Sequence, residues 1–152
     1  MEYSIMTLLQ GLAEVLDEFG YPIYISQRQQ GVTTPCFFLT IMLGDSRKEL
    51  GATYFNDLSV DIVFLQDPNI INATEGIIGV IEYLDEHLEL VPYRYDPEED
   101  PEWVHTYDRS HQIQDFDLHY HVTFRNRVYL PENETLMKTL EAINYEIKVK
   151  RQ

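Results

Sequence analysis

Residues Thr53–Gln66 read TYFNDLSVDIVFLQ, and apolar and polar residues alternate along this stretch. An alternation of period two predicts a β-strand with one dry face and one mostly wet face. The preceding apolar run CFFLTIML, Cys36–Leu43, predicts a second strand. Residues 44–52, GDSRKELGA, separate the two runs, which predicts a hairpin tip or an extended arm and antiparallel pairing. The residues of the dry face are Leu58, Val60, Ile62 and Phe64.

The two flanks of this hairpin carry helical patterns. Before it, apolar residues recur at spacings of three and four from Ile5 to Phe19, which predicts an amphipathic helix. Ser4 is placed to cap its start, and Gly20 to end it. After it, a second helix is predicted to begin near Asn72, with Glu75 completing a capping box. The apolar stripe of this second helix is Ile77, Ile78, Ile81, Leu84 and Leu88.

The remaining segments predict a short strand at Ile23–Ser26, an acidic proline-containing loop at 95–103, and a strand that ends at Phe124 and begins near Gln112. Residues 131–152 form a C-terminal tail that reads as a short helix and an extended end. Several strands before a helix favour an α+β fold, in which two main helices pack on an antiparallel or mixed β-sheet. The 152 residues are expected to form a single domain.

Composition excludes several classes of protein. Lys and Arg number 11 and Asp and Glu 26, so the net charge is 11 − 26 = −15. Nucleic-acid binding needs basic residues that neutralise phosphates, so this charge argues against it, and we expect no sequence-specific nucleic-acid binding. The single cysteine, Cys36, excludes an internal disulfide and lies in an apolar run, where a thiol behaves as a small hydrophobe. No apolar run reaches the ~20 residues of a membrane span, and no signal peptide is visible. These features predict a protein of a reducing cytoplasm.

The histidines allow one catalytic hypothesis. His119 and His121 share a strand face, and with His111 they could complete the metal site of a metal-dependent enzyme. The same face also carries Asp117 and Thr123, so a simple solvated face is the alternative. No phosphate-binding loop, nucleophile elbow or His-Glu-x-x-His motif occurs in the sequence. We therefore expect no enzyme activity, no metal and no cofactor.

A family resemblance rests on several short motifs. They are the first helix, Tyr21–Tyr24 (YPIY), Gln30-Gly31, and Pro35–Leu39 (PCFFL), followed by the Asp61-Ile62 strand, the Asn72–Glu75 helix start and the Asp117–Phe124 strand. Together these motifs resemble the tail terminator family of phages and prophages of Gram-positive bacteria, over about the first 125 residues.

The resemblance implies a virion structural protein of the tail and neck, assembled in the cytoplasm of the bacterial host. Tail terminators form a hexameric ring that caps the head-proximal end of the tail tube, stops its polymerisation and offers a surface for head joining. The implied partners are copies of the chain, the tail tube protein, the head–tail connector protein and, as an alternative left open, the sheath protein. The runner-up within this class is a connector or stopper protein of the neck.

The resemblance also suggests two sets of site residues. The polar loop before Pro35 is a candidate subunit interface, because a ring needs heterologous contacts. Its residues are Gln27, Gln29, Gln30, Gly31, Thr33 and Thr34. The acidic side of the second helix is read either as a solvated face or as a lining of the ring's lumen, where carboxylates would repel passing DNA. Its residues are Glu82, Asp85, Glu86 and Glu89.

Overall fold

The computed structural model describes residues 4–25, 32–48 and 53–129, and it contains two helices and two sheets in this part of the chain. The helices are α1 and α2, and a short 3₁₀ helix, Asp17–Phe19, follows α1. The combination of two helices with a mixed sheet confirms the predicted α+β fold. The bounds are α1 Ile5–Leu16, β1 Ile23–Tyr24, β2 Cys36–Lys48, β3 Thr53–Leu65, α2 Ala73–His87, β4 Leu90–Tyr93, β5 Glu102–His105, β6 Asp108–Gln114 and β7 Asp117–Tyr129.

The larger sheet has the strand order β1-β2-β3-β7-β6, and β4 pairs with β5 in a separate small sheet. β1 runs parallel to β2, whereas β2, β3, β7 and β6 are antiparallel to their neighbours. The pairing follows the predicted alternation. One row across the sheet joins Leu39, Ile62, Tyr120 and His111. The register of β2 and β3 shifts between Ile41 and Leu43, so Met42 is an extra residue in β2.

Both helices contribute to the core on one face of the larger sheet. Every second side chain of β3 and β7 enters this core, because successive side chains of a strand point to opposite faces. A second, smaller cluster on the opposite face contains Cys36, Phe38 and Leu65. We call this second side the second face. The strand residues of the main core are Phe37, Leu39, Leu58, Val60, Ile62, Phe64, Leu118, Tyr120, Val122 and Phe124.

The ends of α1 agree with the sequence. Ser4 Oγ accepts a hydrogen bond of 3.3 Å from the Thr7 backbone N–H, and Gly20 closes the 3₁₀ helix with a φ of 73°. Gly11, in the middle of α1, lies against the backbone carbonyl of Pro92 in β4. A methyl group at position 11 would overlap this carbonyl, so the glycine sets how closely the small sheet approaches the helix.

Several predicted boundaries are wrong. The strand expected from about Gln112 is two strands, because Asp115 and Phe116 have φ values of 49° and 69° and turn the chain between β6 and β7. The acidic loop 95–103 ends two residues early, since Glu102 and Trp103 belong to β5. The Asn72 side chain makes no capping hydrogen bond to α2.

Other expectations hold in part. Residues 44–48 continue β2 as an extended arm, which was one of the two alternatives for this stretch. In α2, Val80 is buried, whereas Ile78 is 45% exposed although the pattern placed it in the apolar stripe. The predicted C-terminal tail, 131–152, lies outside the described residues. Among the described residues, no helix is long and apolar enough to cross a membrane.

Candidate assembly surfaces

The polar centre of the second face is Asp61, on β3. Its carboxylate lies between two histidines of β7: Oδ2 is 2.8 Å from His119 Nδ1, and Oδ1 is 3.5 Å from His121 Nε2. The Asp61 side chain is 15% exposed and the two imidazoles are about a third exposed. Next to this group, Ser59 and Thr123 share a hydrogen bond of 3.1 Å between their hydroxyls. These contacts tie β3 to β7 and leave a shallow polar surface.

The third histidine of the metal hypothesis does not join this group. His111 pairs with Tyr120 in the sheet, and its ring stacks with that of Tyr120, so it lies on the face that the helices cover. His119 and His121 lie on the opposite face. No group of three or more His, Cys, Asp or Glu residues that could hold a metal ion occurs in the described part of the chain. The three histidines of this alternative hypothesis therefore do not come together.

The ends of β2, β3 and β7 extend beyond the main core and form an arm, residues 44–48, 53–57 and 125–129. Asp57 organises the arm: its Oδ2 accepts a 3.0 Å hydrogen bond from Arg47 Nη2, and its Oδ1 accepts one of 3.0 Å from Arg125 Nε. These hydrogen bonds lower the pKa of the Asp57 carboxyl, and the one from Arg125 has the largest effect. The Arg125 guanidinium also lies over the Tyr107 ring, 4.3 Å from its centroid.

The predicted interface loop is described only at its end. Gln27, Gln29, Gln30 and Gly31 lie outside the described residues. Thr33 is exposed, and Thr34, two residues before β2, is half-buried. Thr34 lines an open depression at the end of the sheet, whose other lining residues are Leu65, Gln66, Pro68, Asp115, Phe116 and Asp117. The described end of the loop thus adjoins the end of the sheet at which β3 ends and β7 begins.

The four predicted lumen residues do not form one helical stripe. Glu82, Asp85 and Glu86 lie on α2, whereas Glu89 is exposed beyond the helix, which ends at His87. Asp85 has a structural contact as well: its Oδ1 accepts a hydrogen bond of 2.6 Å from the buried Tyr120 hydroxyl. Burial, with a smaller effect of the Asp85 contact, raises the pKa of Tyr120.

The acidic loop is held to α1 by one ion pair. Arg94 donates hydrogen bonds of 3.1 and 2.9 Å to the two carboxylate oxygens of Glu14, and another of 2.7 Å to the Glu99 backbone carbonyl. The hydrogen bond from Arg94 lowers the pKa of Glu14. Arg94 therefore connects the acidic loop, through the Glu99 carbonyl, to helix α1, through Glu14.

The sequence did not indicate that the margins of the sheet could serve as a site. Among the strands that the structure describes, β6 lies at one edge of the larger sheet, and its sequence, DRSHQIQ, has too few apolar residues to stand out by periodicity. The sequence of β6 offers only one indication, which is an absence: the strand contains neither proline nor lysine, the residues that often protect an exposed edge.

One comparison with known proteins identifies a family. The family described as phage tail terminator protein matches residues 7–136, which include most of α1, all of α2 and every strand described here. No curated protein matches the chain significantly. The family match covers far more than half of the sequence. The chain therefore belongs to the phage tail terminator family.

Proposed function

We propose that this chain forms a hexameric ring on the head-proximal end of a phage or phage-derived tail tube. In this position the ring stops tube polymerisation and offers the surface to which the head connector binds. The observation that carries the proposal is the family match over residues 7–136. The proposed site is the neck of the virion, with assembly in the cytoplasm of a host that we take to be Gram-positive.

The proposed partners are a second copy of the chain, the tail tube protein, the connector protein and, in a contractile tail, the sheath protein. We assign no catalytic step to the protein, because the family is structural. We place one subunit contact at the polar loop that connects β1 to β2 and ends at Thr33 and Thr34. Exchanging Gln30 and Gly31 for alanine should weaken ring assembly without unfolding the monomer.

The charge supports passage of DNA through the ring. Six copies would carry a formal charge of 6 × (−15) = −90. With the helix layer turned toward the axis, Glu82, Glu86 and Glu89 would line the lumen, and Asp85 would contribute although it also holds Tyr120. Carboxylates in this position repel phosphate groups, so DNA would slide through without binding.

The test is the length of tails in particles made without this gene, measured by electron microscopy. Abnormally long or variable tails without heads are the expected result. Tails of normal length that fail to join heads would instead assign the protein to a connector or stopper role. Normal infectious particles would contradict both roles.

A further inference from the structure

Both margins of the larger sheet are unpaired among the described residues. β1 covers the outer edge of β2 at Phe37 and Phe38, and from Leu39 to Lys48 no other strand in the described part of the chain pairs with this edge. At the other margin, β6 pairs with β7 alone. The backbone N–H and C=O groups of an edge strand form a template on which another strand can pair.

β6 has little protection against such pairing. It is in register with β7 over all seven of its residues and contains no proline, lysine or register shift. Natural edge strands are often blunted by these three features. Its residues from Ser110 to Gln114 carry no charge when histidine is neutral. The corresponding part of β2, from Leu39 to Gly44, is also uncharged, although it contains the register shift at Met42.

Each edge also exposes large apolar side chains. Ile41 and Met42 on β2 are 48% and 51% exposed, and Ile113 on β6 is 46% exposed. Copies of a chain with a net charge of −15 repel each other over most of their surface. At these two edges, in contrast, uncharged backbone and apolar side chains would meet without opposing carboxylates.

The strand directions permit the two edges to join. Since β2, β3, β7 and β6 alternate in direction, β6 of one copy runs antiparallel to β2 of the next copy when the sheet continues across both. Antiparallel pairing is at least as stable per residue as parallel pairing. The contact is heterologous, so repeated copies close into a ring or extend as a filament.

From these observations we propose that β6 of each subunit pairs antiparallel with β2 of its neighbour, so that the larger sheet is continuous from copy to copy. The occupant of each open edge is thus a second copy of this chain. This inference rests on the proposed ring, and it specifies which surfaces of the chain form the ring's subunit contact.

The test uses cysteine cross-linking on tails purified from assembled particles. Met42→Cys on β2 and Gln112→Cys on β6 are combined in one chain, and the tails are treated with a short bismaleimide. The native thiol, Cys36, is fully buried and does not compete. We expect a denaturing gel to show a ladder of covalent multimers that ends at six chains, and each single substitution to leave monomers.

The matched control combines Met6→Cys with Ile78→Cys, which changes two exposed apolar residues of the helices, 52% and 45% exposed. It should give monomers. If the edge pair gives only monomers, or links this chain to the tube protein instead of to itself, the inference is wrong. Should the edge pair prevent incorporation into tails, Thr40→Cys with Gln114→Cys tests the same antiparallel joint in the same register.

The tail-length measurement separates this inference from the proposed function. Long tails after gene deletion, together with no ladder from the edge cysteines, would overturn the edge pairing and leave the terminator role intact. Normal tails after deletion would overturn the terminator role itself, whatever the gel shows.

Discussion

The Tyr120 hydroxyl donates a hydrogen bond of 2.6 Å to Asp85 Oδ1, and this contact joins the fully buried centre of β7 to the exposed side of α2. Tyr120→Phe removes the hydrogen bond but keeps the ring. Because the acceptor is a carboxylate, we expect the free energy of unfolding to fall by about 1–2 kcal/mol in urea denaturation. Tyr107→Phe removes a hydroxyl from a side chain that is 63% exposed and should have an effect below about 0.5 kcal/mol.

The same contact predicts a dependence on alkaline pH. Burial and the Asp85 contact raise the pKa of Tyr120 above its value in the unfolded chain, which is about 10. Below pH ~10 the stabilisation is fully present, and it is lost as the pH rises toward the folded pKa, because the unfolded state releases the proton first. The stability difference between the wild type and Tyr120→Phe should therefore shrink above pH ~10. A difference that stays constant to higher pH would contradict this account.

Two glycines on the helices are predicted to respond in opposite directions to the same substitution. Gly11→Ala would place a methyl group on the Pro92 carbonyl, so we expect a loss of about 1–3 kcal/mol despite the better helix propensity of alanine. A methyl group at Gly79 in α2 would meet no neighbouring element within 4 Å, so Gly79→Ala should stabilise the protein by about 0.5–1 kcal/mol. Thermal unfolding of both variants gives the comparison. If both substitutions raise the melting temperature, the close contact between Gly11 and the Pro92 carbonyl does not constrain the residue at position 11.

The main elements were predictable because their signals are local. Each signal lies within one element. Ser4 marks the start of α1, the spacing from Ile5 to Phe19 marks its buried face, and the alternation in Thr53–Gln66 marks the buried face of β3. The same local reasoning located the extended arm and the Asn72 helix start. It also placed His119 and His121 together on one strand face, where the structure has them beside Asp61.

The turn between β6 and β7 could not be predicted by the same reasoning. Two-residue hairpin turns with positive φ usually contain Asn-Gly or Asp-Gly, whereas this turn holds Asp115 and Phe116. Without a turn signal, the sequence from Gln112 to Phe124 looks like one strand, and His111 appears to share a face with His119. The chain reversal places His111 opposite Tyr120 instead, which separates the three histidines. The open edges are likewise properties of strand order, and no local pattern encodes them.

The paired arginines of the arm lead to a prediction for acid. Hydrogen bonds from Arg125 and Arg47 lower the pKa of Asp57, so its stabilisation is present above the unfolded pKa of about 3.9 and lost as the pH falls through the lower folded value. We expect Asp57→Asn to be less stable than the wild type near neutral pH and this difference to vanish in acid. Chemical denaturation at several pH values measures it. Asp45→Asn, whose carboxylate is 3.8 Å from Arg47 and more exposed, should change stability less at every pH.

If the acidic residues of α2 line the lumen, reversing their charge should impair DNA passage without changing tail length. Replacing Glu82, Glu86 and Glu89 by lysine changes each copy by six charge units, and six copies by 6 × 6 = 36 units. Lysines along the DNA path would attract phosphates, so DNA ejection should slow at low salt and recover at high salt, while tail length stays normal.

The matched control for the lumen variant carries the same change in charge on the acidic loop, with lysine at Glu98, Glu99 and Asp100. If the position of the charge matters, this control should eject DNA at the wild-type rate in the same buffers. Equal slowing in both triple variants would show that net charge alone is responsible, because both variants differ from the wild type by the same six units per copy. Altered tail length in the lumen variant alone would instead assign the acidic side of α2 to the contact with the tube.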